Sequence, residues 1–185
     1  AREFGCRSGM PVFQALQKCP TLALLPPRFE VYREVSTCIR AILRSYTELV
    51  EPLSLDEAYL DVSEDTRPAF TIATEIRTRI QEETCLPSSA GIAPNKMLAK
   101  IASDWKKPDG QFEIKPEEVK DFIKKLPVRK LWGVGPRTET TLGEMGVATC
   151  ADLQRIPQTD LARRFGKFGI ELRDLCRGKD ERPVV

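Results

Sequence analysis

Residues 51–63 read EPLSLDEAYLDVS, and two carboxylates, Asp56 and Glu57, stand side by side where an otherwise apolar, strand-like pattern should continue. Successive side chains of a regular strand point to opposite faces, so neighbouring acids share a site only where that alternation breaks, at a hairpin turn or a bulge. The runs VEPLS and AYLDV are each strand-like and can pair around the acids. Two carboxylates converging in a pocket repel, and a divalent cation bound through oxygen relieves the repulsion. With no histidine or thiolate alongside, such a hard oxygen set favours magnesium or manganese. An isolated D-E pair is more often a solvated turn or a surface ion pair, so the company it keeps decides its meaning.

Working outward, the rest of the chain supplies a scaffold for such a hairpin. Apolar residues recur at three- and four-residue steps from Phe29 to Tyr46 and again over 68–85 through Ile72, Ile76 and Ile80, which predicts two amphipathic helices. PSSAGIA is small and strand-compatible, PNKMLAKIASDW (94–105) is helical and opened by Pro94 and Asn95, and GQFEI closes with a short strand. The order strand, strand, helix, strand, helix, strand is that of an α+β layer, a small sheet with helices on one face, lacking an opening strand. After Lys115 the character changes to short helices punctuated by Gly and Pro, expected at 116–125, 137–145, 149–155, 158–165 and 168–177.

Composition narrows the chemistry. The chain of 185 residues has no histidine, which removes His triads, His bases and His-ligated metals and leaves acid or base work to carboxylates, Lys, Tyr or Cys. Six cysteines lie far apart with no C-x-x-C pair, which argues against zinc and for reduced thiols. No apolar run is long enough to span a bilayer and no signal-peptide layout opens the chain, so the expectation is a soluble, intracellular protein. Net charge is only +2, so any affinity for nucleic acid must come from local patches. Two are visible: KMLAKIASDWKK (96–107), which begins at Lys96 and runs into the Pro-Asp-Gly turn after Lys107, and KKLPVRKLWGVGPR (124–137).

In the second patch Gly133-Val134-Gly135 joins two helical stretches. Two glycines let the backbone pass close to a phosphate while the amides opening the next helix point at it, and Arg129, Lys130 and Arg137 flank the turn. This is the layout of a helix-hairpin-helix gripping a nucleic-acid backbone without reading sequence. A plain helical turn is the alternative.

Together, PLSLDEAYLDVS, SAGIAPNKMLAKIASDWKKPDGQF and LPVRKLWGVGPRTETTLGEMGVATCADL resemble the Y-family translesion DNA polymerases, most closely the DNA polymerase IV (DinB) branch, and FGCRSGMP and RRFGKFG…GKDERPV extend the likeness over essentially the whole chain. The resemblance implies an α+β fold: a partial, ferredoxin-like polymerase palm with part of the fingers, followed by a small all-helical thumb. Residues 1–26 would be fingers, 27–115 palm and 116–185 thumb. It implies template-directed, error-prone DNA synthesis, with Asp56 and Glu57 as catalytic carboxylates holding two Mg2+ ions (Mn2+ being an alternative) and Ser54 beside them. Arg2, of a Y-x-x-R element, and Lys107 are expected on the incoming deoxynucleoside triphosphate. Gly133, Val134, Gly135, Arg137, Lys96 and Ser8 are expected to face primer–template DNA, with Cys6, Arg7 and Met10 near the nascent base pair. A monomer in the bacterial cytoplasm, meeting a sliding clamp in its full-length form and no membrane, completes the implication. The family's first strand, with a further metal-binding aspartate and a sugar-discriminating aromatic, and its little-finger domain are not in this sequence, and the link from Ser63 to Ala69 is short. The expectation is therefore of a fragment, and a DNA-binding piece without catalysis stands as the alternative. A nucleotidyl cyclase palm is a third reading, disfavoured by the helix-hairpin-helix.

Overall fold

The hairpin expected around 51–63 is present. In the computed structural model, which describes residues 1–185, strands β1 (Val50–Pro52) and β2 (Ala58–Leu60) pair antiparallel with Val50 opposite Leu60 and Pro52 opposite Ala58. Its loop is closed by the Leu53 and Ser54 amides, which donate to the Glu57 carbonyl at 2.8 and 3.2 Å. Alternation then sorts the side chains: Val50, Ala58, Leu60 and Val62 turn to a core, and Glu51 and Tyr59, paired across the strands, turn away from it.

That core is made by two helices, α2 (Phe29–Arg44) and α3 (Ala69–Thr84). Ile72, Ile76 and Ile80 recur every fourth residue along α3 and are buried against Ile42 and Leu43 of α2. The expected apolar stripe of α2 is fully buried only near its C-terminal end, at Ile42 and Leu43; Val31 and Cys38 are exposed.

A second pair, β3 (Ala90–Ile92) and β4 (Gln111–Glu113), runs parallel, with Gly91 opposite Phe112. Parallel neighbours need a crossover, and α4 (Lys96–Ser103) supplies it. Asn95 caps α4 by accepting the Leu98 amide at 3.0 Å, and Met97, Leu98, Ile101 and Ala102 form its buried stripe. The strands thus make two two-stranded sheets rather than the single small sheet expected, because β2 and β3 share no hydrogen bonds. A groove of about 890 Å³ lies between them.

The C-terminal part is helical as expected: α5 (Val119–Lys125), α6 (Pro136–Glu144), α7 (Cys150–Leu153), α8 (Gln158–Phe165) and α9 (Lys167–Leu175). Its core residues Ile123, Leu126, Leu142, Leu153, Leu161 and Leu172 are continuous with Leu98 and Ala102 of α4, so no solvent layer marks residue 115. By contact, the chain divides into Ala1–Arg33 and Glu34–Val185. The first unit holds α1 (Val12–Lys18) and a small core of Cys6, Ala15 and Cys19. No helix is long and apolar enough to cross a membrane.

All six cysteines are free. Burial pushes the Cys150 thiol up to about 12 and raises that of Cys176 as well. A thiol whose folded pKa lies above its unfolded value is neutral in both states at low pH, so its contribution to stability is complete below the unfolded value. That contribution is lost as pH rises, from about 8.5 towards the folded value near 12. In native protein at pH 8, a disulfide-exchange reagent should label exposed Cys38 and Cys85 rapidly and Cys150 and Cys176 only on unfolding. Equal labelling rates for all four would contradict this packing.

Candidate functional site

The hairpin loop places both acids at the groove between the two sheets, where Lys100 and Lys107 also stand. Asp56 is oriented from within its own turn: Ser54 Oγ donates to its Oδ1 at 2.6 Å, and the Asp56 amide returns a hydrogen bond to the same hydroxyl at 3.3 Å. Glu57 is held from the opposite wall, where Lys100 Nζ of α4 meets its Oε1 at 2.5 Å. The Gly91 position explains why α4 stands close enough. A Cβ there would lie 2.1 Å from the Ala99 carbonyl and 2.2 Å from the Ser103 amide, so only glycine lets the helix backbone lie against β3.

Lys107 follows α4 and is about half exposed, with its Nζ 2.7 Å from Asp104 Oδ1. That hydrogen bond, against some desolvation, raises its pKa above the ordinary lysine value, and the charges of Glu57 and Asp56 add to the effect. A fully charged ammonium facing two acids across an open groove is suited to anchoring a polyanion.

Both acids are exposed, offering hard oxygen donors with one oxygen of Glu57 already neutralised by a cation. This donor set fits Mg2+ or Mn2+, which bind carboxylate oxygen and retain several waters. No group of three or more His, Cys, Asp or Glu gathers to hold an ion.

Lys96, expected to face DNA, is instead only 8% exposed. Its Nζ contacts Glu51 Oε2 and donates to the Pro183 carbonyl at 2.9 Å, and it lies over the Tyr59 ring. An ammonium so desolvated and so paired does not present itself to a phosphate, and the expectation for this residue is corrected. The hydrogen bond from Lys96 holds the Glu51 carboxyl below its ordinary range despite partial burial. Arg2 and Ser8 lie in the first unit, both exposed; the Arg2 carbonyl accepts from Arg7 Nη1 at 2.9 Å.

The glycine turn is as tight as its sequence suggests. Gly133 has φ +82°, and a Cβ there would meet the Phe168 ring at 2.7 Å, so glycine is required on both counts. Val134 is buried and pins the turn to the core. Gly135 precedes α6 with open space at its missing Cβ, leaving the backbone accessible, and Pro136 takes the first helical position, where no N–H is needed. Arg129, Lys130 and Arg137 are exposed around it. Sequence reasoning passed over Lys100, which it saw only as one charge in a basic run; its spacing of one helical turn from Lys96 was the available signal.

Residues 1–104 match the family model described as the impB/mucB/samB family, and residues 129–180 match that described as the DNA polymerase-iota thumb domain. The chain is 56% identical over 187 aligned positions to the DNA polymerase IV of Legionella pneumophila (strain Paris) and 55% identical to that of Pseudomonas aeruginosa (strain UCBPP-PA14), covering all of this chain and 53% and 54% of those proteins. It therefore spans about half the length of the curated relatives it matches. The crystal structure of DinB from Sulfolobus solfataricus superposes with a TM-score of 0.91 at 33% identity over 99% of this chain and 55% of that one. An insertion ternary complex of Dbh DNA polymerase superposes at 0.89 and 33%, over 99% and 55%.

Proposed function

The chain belongs to the impB/mucB/samB family, the Y-family DNA polymerases, and on that premise we propose that its Asp56–Glu57 hairpin is the nucleotidyl-transfer centre of a translesion DNA polymerase of the DNA polymerase IV type. The observation that carries this reading is the meeting of two oriented carboxylates and two lysines at one groove. Residues 1–26 correspond in it to fingers, 27–115 to palm and 116–185 to thumb.

Asp56 and Glu57 would hold Mg2+, which when bound lowers the pKa of a primer 3′-hydroxyl and offsets charge on a triphosphate. Ser54 keeps Asp56 turned toward the groove, and Lys100 balances Glu57. Lys107 supplies a point charge for the triphosphate from just beyond α4, where Asp104 holds its ammonium in an ion pair. The Gly133–Gly135 turn, with its Val134 amide engaged by the Leu131 carbonyl, brings exposed glycine backbone up to a DNA phosphate, and Arg129, Lys130 and Arg137 add cations that fix register without reading bases.

Two outcomes are expected at these outer contacts. Lys107→Ala should raise the apparent KM for deoxynucleotide roughly tenfold with little change in kcat, read by steady-state primer extension; an unchanged KM would return Lys107 to the role of a solvated charge. Arg137→Ala should weaken primer–template binding equally across sequences and reduce the slope of log K against log salt by about 1. Fluorescence anisotropy at several salt concentrations checks it, and a sequence-selective loss would contradict a backbone contact.

One observation favours a second reading, a DNA-binding piece without catalysis of its own: the acid pair has no third carboxylate gathered with it. Primer extension in Mg2+ separates the two. Extension by this chain supports the polymerase centre, and tight primer–template binding without extension supports the second reading.

A further inference from the structure

The turn that carries Lys107 is clamped by a side chain far from it in sequence. Arg77 of α3 donates from Nε to the Ser88 carbonyl at 2.8 Å, and from Nη2 to the Asp109 carbonyl at 2.9 Å and its Oδ1 at 2.7 Å. One planar cation therefore ties α3 to the loop before β3 and to the turn before β4, a task for which the rigid guanidinium fork suits better than an ammonium. The Arg77 side chain is largely shielded, at 20% exposure.

The turn itself has little freedom. Asp109 has φ +47°, a left-handed conformation in which few non-glycine residues settle, and Arg77 binds both its carbonyl and its carboxylate there. Gly110 follows with its missing Cβ 1.7 Å from the Lys106 carbonyl, so the turn is folded onto itself. The Gly110 amide donates to Ser89 Oγ at 3.2 Å and its carbonyl accepts from the Ala90 amide at 3.0 Å, which fastens the turn to the start of β3. Lys107 stands two residues from Asp109 and faces the acid pair across the groove.

We propose that Arg77 is a positioning residue for nucleotide binding: by fixing the 107–110 turn through Asp109, it sets where the Lys107 ammonium stands and so the affinity for a deoxynucleoside triphosphate. The inference rests on the reading of Lys107 as a triphosphate ligand. Arg77 lines the same groove but commits its Nε and Nη2 to Ser88 and Asp109, so the proposed action on nucleotide runs through the turn.

The test is a double-mutant cycle on the binding of a fluorescent N-methylanthraniloyl dATP, in Mg2+ and with primer–template present. Lys107→Ala and Arg77→Met should each weaken binding roughly tenfold, and the double variant should be within about twofold of either single one. Arg77→Lys, which keeps the charge but loses the fork, should fall between wild type and Arg77→Met; it also carries the test if Arg77→Met does not fold. Primer–template affinity should not move in any variant. Additive losses, or wild-type affinity in Arg77→Lys and Arg77→Met, overturn the positioning role while leaving the proposed function intact. No loss in Lys107→Ala overturns the reading of Lys107 and this inference with it.

Discussion

Replacing Glu57 by Gln, or Asp56 by Asn, is expected to lower single-nucleotide incorporation by about a thousandfold or more, while primer–template binding stays within about twofold of the parent. Each change removes one negative charge and keeps the shape of the side chain. For Asp56 the Ser54 hydrogen bond can persist, so the turn should survive and only the affinity for a divalent cation should fall. For Glu57 the loss also frees Lys100, whose ammonium would face an uncharged amide. Both acids lie on an exposed loop, so neither change should lower Tm by more than a degree or two. The measurement is single-turnover extension in Mg2+ with anisotropy on the same protein samples. A loss of DNA binding as large as the loss of incorporation would place the acids in DNA binding rather than in catalysis.

The second large effect is structural and reaches the site through α4. Gly91→Ala should destabilise the protein by about 1–3 kcal/mol, because its new methyl would fall onto the Ala99 carbonyl and Ser103 amide, and helix backbone cannot swing aside as a side chain can. For a chain of this size that corresponds to a fall in Tm of roughly 2–12 °C. The displaced helix carries Lys96 and Lys100, so the Glu51 and Glu57 ion pairs should loosen together. Thermal unfolding by circular dichroism, with hydrogen exchange of the 96–103 amides, reads both. An unchanged Tm would mean that α4 and β3 are not in the close contact described.

How much of this was legible in the sequence depends on the range over which each feature is encoded. The helices are local: Ile72, Ile76 and Ile80 repeat at the period of the helix they bury, and Asn95 marks the start of α4 one residue ahead of it. The hairpin is local too, since the alternation of Val50, Ala58, Leu60 and Val62 breaks only across the loop holding the acids. The glycine turn could be placed by its flanks, but the reason for Gly133, the Phe168 ring beneath it, comes from 35 positions later (168 minus 133). What failed was non-local. Whether β2 joins β3 in one sheet is decided by pairing between distant segments, which no window reveals. Lys96 looked like any charge at the start of a basic helix, and its burial follows from Glu51, 45 residues before it, and from the carbonyl of Pro183, 87 after it. Arg77 and Lys100 were hidden for the same reason, because their partners Asp109 and Glu57 are 32 and 43 residues away.

The proposed Asp56–Glu57 site binds the divalent cation on which nucleotidyl transfer depends. The most direct test of that binding is electron paramagnetic resonance of Mn2+ titrated into the protein with primer–template and deoxynucleoside triphosphate. The expected result is a bound Mn2+ population in the parent protein that falls at least about tenfold in affinity in Asp56→Asn and in Glu57→Gln. Equal Mn2+ affinity in the parent and both variants would contradict it.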